Sequence, residues 1–89
     1  MTRIPVSIII PVLNEAKLLW PFLAHLRERA AGAEIIVTDG GSSDGTIELA
    51  RDSCSQLIVG ERNRAKQMNA GAGAAHGDIL WFVDRKSVV

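Results

Sequence analysis

Glu34-Ile35-Ile36-Val37-Thr38-Asp39, running into Gly40-Gly41-Ser42-Ser43-Asp44-Gly45 and then Thr46, is the stretch on which the fold turns. Its first part is apolar and β-branched, which reads as a buried strand over 34–39. The glycines, serines and Asp44 tolerate special backbone angles and read as a loop. Thr46 to Ser53 then reads as a short helix with Ile47, Leu49 and Ala50 inward, and with Asp44 or Thr46 placed to cap its first turn.

The same alternation extends both ways. Upstream, Val6-Ser7-Ile8-Ile9-Ile10 is a second β-branched run, bounded by prolines, and reads as a buried strand. Asn14-Glu15 opens a helical stretch in which Leu18, Leu19, Phe22, Leu23 and Leu26 recur at spacings of three and four. Pro21 has no N–H to donate, so it belongs in the first turn or kinks the helix. Gly32 ends that segment. Downstream, Leu57-Ile58-Val59 is a short strand. Arg64 to Ala75 is a third helix, closed by Gly77. Ile79-Leu80-Trp81-Phe82-Val83 is a fourth strand, apolar on both faces, ending at Asp84. The order β-α-β-α-β-α-β predicts an α/β fold with an open parallel sheet and helices on its faces.

Composition narrows the function. The chain has 89 residues, enough for one small domain or half of a larger one. Ten Lys+Arg balance ten Asp+Glu, so no global basic field exists to hold a nucleic acid, and none is expected as a partner. Val6 to Leu13 is far short of a membrane span and makes a poor signal peptide. One cysteine, Cys54, forms no internal disulfide, which fits a reducing compartment and a cytoplasmic location. His25 and His76 stand apart from each other and from Cys54, so neither reads as a metal ligand. Trp20 and Trp81 read as packing residues.

In an open parallel sheet, ligands bind at the carboxyl ends of the strands. The polar residues gather there: Asn14-Glu15, Asp39 to Asp44, Arg62-Asn63-Arg64 and Asp84. The loops at the other end are blander. The glycine-bearing loop matches neither a phosphate-binding Walker loop nor a dinucleotide fingerprint. Gly71-Ala72-Gly73 reads as close helix packing. Asp39 has two readings: it receives N–H groups of a ligand base, or it closes its own loop. Glu61 to Lys66 carries three basic residues against one acidic at a helix start, where a diphosphate is a natural guest.

I-I-I-P-V-L-N-E, E-I-I-V-T-D-G-G-S-S-D-G-T, R-A-K-Q-M-N-A-G-A and G-D-I-L-W-F-V-D, in that order, resemble the N-terminal nucleotide-sugar-binding half of a family 2 glycosyltransferase, over Pro5 to Asp84. The resemblance implies a Rossmann-like sheet of the nucleotide-diphospho-sugar transferase type, here incomplete, and glycosyl transfer from a nucleoside-diphosphate sugar. It implies that Pro11, Val12, Asn14 and Glu15 line the nucleoside pocket. Asp39 would bond the base, commonly uracil, while Gly41, Ser42 and Asp44 shape the pocket. Arg64 and Lys66 would face the diphosphate, supported by Asn69. Asp84 would contact a divalent metal, Mg²⁺ or Mn²⁺. The family's second acid is replaced by Lys86, which repels a cation rather than binding it. Asn63 stands where close relatives have glycine, and Lys66 where they have arginine.

The likeness breaks off at Asp84. The expected division is therefore 1–84 as the nucleotide-sugar-binding part and 85–89 as a divergent tail, with the 89 residues not catalytically competent alone. The alternatives are a non-catalytic nucleotide-binding module and a self-associating one. A receiver-like module fits poorly, because Pro11-Val12-Leu13 stands where its acidic pair belongs. The fourth strand, if left at an edge, is an apolar template through which copies of the chain would self-associate.

Overall fold

The structure is a computed structural model and describes residues 5–83. The elements run in chain order as β1 (Val6–Val12), α1 (Ala16–Arg29), β2 (Glu34–Asp39), α2 (Thr46–Arg51), β3 (Gln56–Val59), α3 (Arg64–Ala74) and β4 (Ile79–Phe82). All strand pairs are parallel, in the order β3-β2-β1-β4. The expected α/β architecture is the observed one. No described helix is long and apolar enough to cross a membrane.

β1 and β2 form the centre and are buried along nearly their whole length. Ile8, Ile10, Val12, Ile35 and Val37 meet Leu19, Leu23 and Leu26 of α1 and Ala50 of α2 in one core. The other face carries Ile9 and receives α3. There Gly71 is essential to the fit, since a Cβ on it would lie 2.5 Å from Ile9 Cγ2. The close-packing reading holds for Gly71 but not for Gly73, where nothing lies within 4 Å of a Cβ.

β1 runs further than its β-branched residues indicate, through Pro11 to Val12. Successive residues of a strand turn their backbone groups to opposite neighbours. Val12 O accepts from Gly40 N on the β2 side and Ile9 O accepts from Val83 N on the β4 side. The nitrogen of Pro11 therefore faces the β4 side, where the paired register has ended at Ile9 and Phe82. The next rung would run from the residue 11 nitrogen to Val83 O, and without an N–H on Pro11 the pairing with β4 stops.

Four other expectations change. Pro21 sits in the second turn of a continuous α1, not in its first, so the bond its N–H would have given to Lys17 O is absent. α2 turns Thr46 and Ala50 inward, while Ile47 and Leu49 are only half-buried. Gly77 is not the cap of α3; Ala75 ends that helix, and Gly77 instead lies hard against Ser7 of β1. Trp20 and Trp81 are more than half exposed, the first on the outward side of α1 and the second on an edge strand.

That edge is β4. Ile79, Leu80, Trp81 and Phe82 are all exposed, although Val83 just beyond them is buried in the core. This is the open apolar edge on which the self-association expectation rests.

The amino end of the sheet holds a polar latch. The buried Glu34 carboxylate accepts from Ser7 Oγ at 2.8 Å, His76 N at 2.8 Å and Gln56 Nε2 at 3.0 Å, and His76 Nδ1 lies 2.7 Å away. Burial by itself raises the Glu34 carboxyl, but the bonds from His76, Ser7 and Gln56 outweigh it and hold the group at about 2, below the ordinary 4.5. Its stabilising contribution is therefore complete above pH 4.5 and is lost as the pH falls through about 2. Solvent around exposed His76 screens the pair, leaving a contribution of about 1–2 kcal/mol. Urea midpoints measured from pH 5 to pH 2 are expected to fall less steeply in Glu34→Gln than in the wild-type chain.

Candidate functional site

At the carboxyl ends of the strands, two loops are sewn into one unit. Asn14 sits in the left-handed region at φ +50°, which asparagine tolerates better than most residues. Its side-chain oxygen accepts from Ser43 N at 2.8 Å, and its own N–H donates to Ser42 Oγ at 2.8 Å. Glu15 N donates to Thr46 Oγ1 at 3.1 Å and Ala16 N to Asp44 Oδ2 at 3.2 Å. Asp44 thus serves the first turns of both α1 and α2, since its other oxygen receives the Thr46 N–H and hydroxyl. The Thr46 hydroxyl is the leading reason that the Asp44 carboxyl lies below its usual value; burial opposes it, and the amides of Ala16 and Thr46 add to the lowering.

Asp39 organises the second loop from within. It is fully buried, and its Oδ1 accepts from Gly41 N at 2.7 Å and Ser42 N at 2.6 Å, while Oδ2 accepts from Ser42 Oγ at 2.7 Å. The loop-closing reading of Asp39 is the geometry observed. Gly41 at φ +98° and Gly45 at φ +93° supply the backbone turns on either side.

α3 completes the site. Asn63 is its N-cap, accepting from Lys66 N at 3.0 Å. Buried Gln67 donates from Nε2 to Val12 O at 3.1 Å and Thr38 O at 2.8 Å. It pins the helix start to the ends of β1 and β2 together.

Two concavities flank Gln67. A cleft of about 470 Å³ is lined by Pro11, Val12, Leu13, Glu15, Arg62, Asn63, Arg64 and Gln67. A smaller hollow of about 180 Å³ has Thr38, Asp39, Glu61 and Lys66 in its wall. The cleft carries two guanidiniums against one carboxylate. The hollow carries two carboxylates against one ammonium. Its buried Thr38 hydroxyl has no hydrogen-bond partner among the described residues.

Of the residues singled out in the sequence, Pro11, Val12, Glu15 and Arg64 come together in the cleft, and Asp39 and Lys66 border the hollow. Lys66 Nζ is 2.6 Å from Glu61 Oε2 in an exposed ion pair. Asn14, Gly41, Ser42 and Asp44 form the loop clasp that frames both, and line neither. Asn69 is exposed on α3 and also lines neither. Asp84 lies outside the described residues. Among the described residues no group of three or more His, Cys, Asp or Glu is placed to hold a metal ion. Asp39 is committed to its loop, and the residue expected to meet a divalent cation, Asp84, is not among the described residues.

Sequence reasoning missed Gln67 as a cleft residue, and counted Arg62 only among the basic residues of the 61–66 segment. For Gln67 a signal existed: it stands four residues before Gly71, on the same buried stripe of α3.

Residues 7–85 match the family described as Glycosyl transferase family 2. The glycosyltransferase AglE of Haloferax volcanii is 36% identical over 89 aligned positions, covering 89% of this chain and 29% of that protein. The glycosyltransferase AglJ of the same organism is 36% identical over 70, covering 79% of this chain and 20% of the relative. The chain thus spans less than a third of the length of these curated relatives. Among solved structures, mannosyl-3-phosphoglycerate synthase from Rubrobacter xylanophilus matches with a TM-score of 0.52 and 28% identity, over 84% of this chain and 24% of that one.

Proposed function

Because the chain belongs to glycosyl transferase family 2, we propose that residues 1–84 are the donor-binding part of a glycosyltransferase, taking a nucleoside-diphosphate sugar, with UDP as the nucleotide. The observation that carries this reading is the cleft at the carboxyl ends of the strands, where two arginines and the start of α3 converge. Free N–H groups at a helix start favour an anion, and arginine matches phosphate oxygens in two-pronged geometry. Pro11 and Val12, at the end of β1, line the same cleft as these cations.

The chemistry follows from charge. Glycosyl transfer releases a nucleoside diphosphate, on which negative charge grows as the bond to the sugar breaks. Cations fixed beside it lower that barrier. In this reading Arg62 and Arg64 hold the leaving group, while the 89 residues bind donor without turning it over alone.

Calorimetric titration with UDP tests the reading. A saturable heat at millimolar UDP, with no sugar released from a UDP-sugar, is expected. Absence of any heat at that concentration would overturn it.

A further inference from the structure

Resting on that donor reading, we propose that Arg62 rather than Lys66 is the partner of Arg64 on the diphosphate. The turn after β3 separates the two neighbours Glu61 and Arg62. Gly60 N still donates to Asp39 O at 2.9 Å, continuing the ladder, and then Asn63 N donates to Glu61 O at 2.9 Å. A bond from residue i+2 to residue i closes a three-residue turn, and Arg62 is its central residue. The turn leaves Glu61 in the wall of the hollow and Arg62 in the wall of the cleft.

The position of Arg62 is fixed from behind. A Cβ on Gly40 would lie 3.1 Å from Arg62 Cα, so the turn rests directly on the glycine of the Asp39 loop. Its side chain is exposed and faces the larger cavity alongside Arg64.

Lys66 is placed differently. It is two residues past Arg64 on α3, about 200° around the helix, and borders the hollow instead. Its ammonium is paired with Glu61, and Asp39 borders the same space. The exposed pair is weak in itself. The surroundings decide the matter: a diphosphate entering the hollow meets two carboxylates against one ammonium, and one entering the cleft meets two guanidiniums against one carboxylate. The unpartnered Thr38 hydroxyl suits the hollow to a neutral polar guest. Arginine's rigid fork also suits two bridged phosphates better than a point-charge ammonium.

The test titrates Arg62→Gln, Lys66→Met and, as a charge control at the opposite end of the sheet, Arg29→Gln with UDP, inorganic pyrophosphate and uridine, following amide shifts. Arg62→Gln is expected to weaken UDP and pyrophosphate about tenfold while leaving uridine unchanged. Lys66→Met is expected to stay within about twofold for pyrophosphate, as is Arg29→Gln. Equal loss in Lys66→Met, or no loss in Arg62→Gln, overturns the assignment while leaving the donor reading intact. Loss of uridine and pyrophosphate alike in Arg62→Gln also overturns it, because the residue then acts on the shape of the site. No saturable shift with UDP in the wild-type chain overturns the donor reading itself.

Discussion

Asp39→Ala is expected to destabilise the chain by about 3 kcal/mol and to abolish nucleotide binding with it. The carboxylate is fully buried and receives three hydrogen bonds, from Gly41 N, Ser42 N and Ser42 Oγ. Alanine leaves those donors without their acceptor. The damage then spreads, since Ser42 Oγ also accepts from Asn14 N and thereby holds the loop after β1. A small domain has about 5–15 kcal/mol of stability in all, so this is a large share. Urea unfolding measures it as a midpoint shift of about 2 M or more. Asp39→Asn separates the two readings of this residue. The asparagine oxygen keeps the bonds from Gly41 and Ser42 amides, so the fold is expected to survive with a loss of about 1 kcal/mol. If uridine binding disappears from that folded variant, the carboxylate also serves the ligand.

Gly77→Ala is expected to cost about 3 kcal/mol through steric conflict at the other end of the sheet. A Cβ there would lie 2.6 Å from Ser7 Oγ, 2.7 Å from Ser7 N and 2.8 Å from Val6 C. Two of those atoms are backbone of the central strand and have nowhere to go. The displacement breaks the 2.8 Å bond from Gly77 N to Ser7 Oγ and disturbs the neighbouring latch at Glu34 and His76. Gly73→Ala provides the contrast. It lies in the last turn of α3 with nothing within 4 Å of a Cβ, so the higher helix propensity of alanine is expected to stabilise by about 0.5–1 kcal/mol. Thermal melts of the two variants should move in opposite directions. Since the cleft is remote from Gly77, UDP affinity of the folded fraction should be unchanged in both.

Those two glycines show what a sequence reveals and what it hides. The alternation of strands and helices was legible because each element carries its own local pattern: β-branched runs at Ile8-Ile9-Ile10 and Ile35-Ile36-Val37, leucines at helical spacing in α1. The concentration of polar residues at one end of the sheet was legible for the same reason. Gly77 looks like a helix stop from its neighbours alone; its real constraint is the backbone of Ser7, seventy positions earlier. Glu34 reads as the polar opening of an apolar strand, yet it anchors His76, 42 residues on. Gln67 reaches back 55 residues to Val12. Such pairings depend on which elements become neighbours, and local periodicity carries no record of that.

The candidate site divides along the same line. The D-G-G-S-S-D-G-T loop was recognisable as special, but its residues mostly hold one another and the loop after β1. The side chains that line the cleft come instead from Pro11, Val12, Glu15 and the turn before α3. The motif builds the frame, and less conspicuous residues such as Arg62 face the space it encloses.

The central claim is that this cleft receives a nucleoside diphosphate. Mapping amide shifts on titration with UDP tests it most directly. The account predicts saturable shifts at Val12, Leu13, Glu15 and Arg62 to Gln67, with the amino-end loops at Ala30–Ala33 and Ser53–Ser55 unmoved. Shifts confined to those amino-end loops, or none at millimolar UDP, would contradict it.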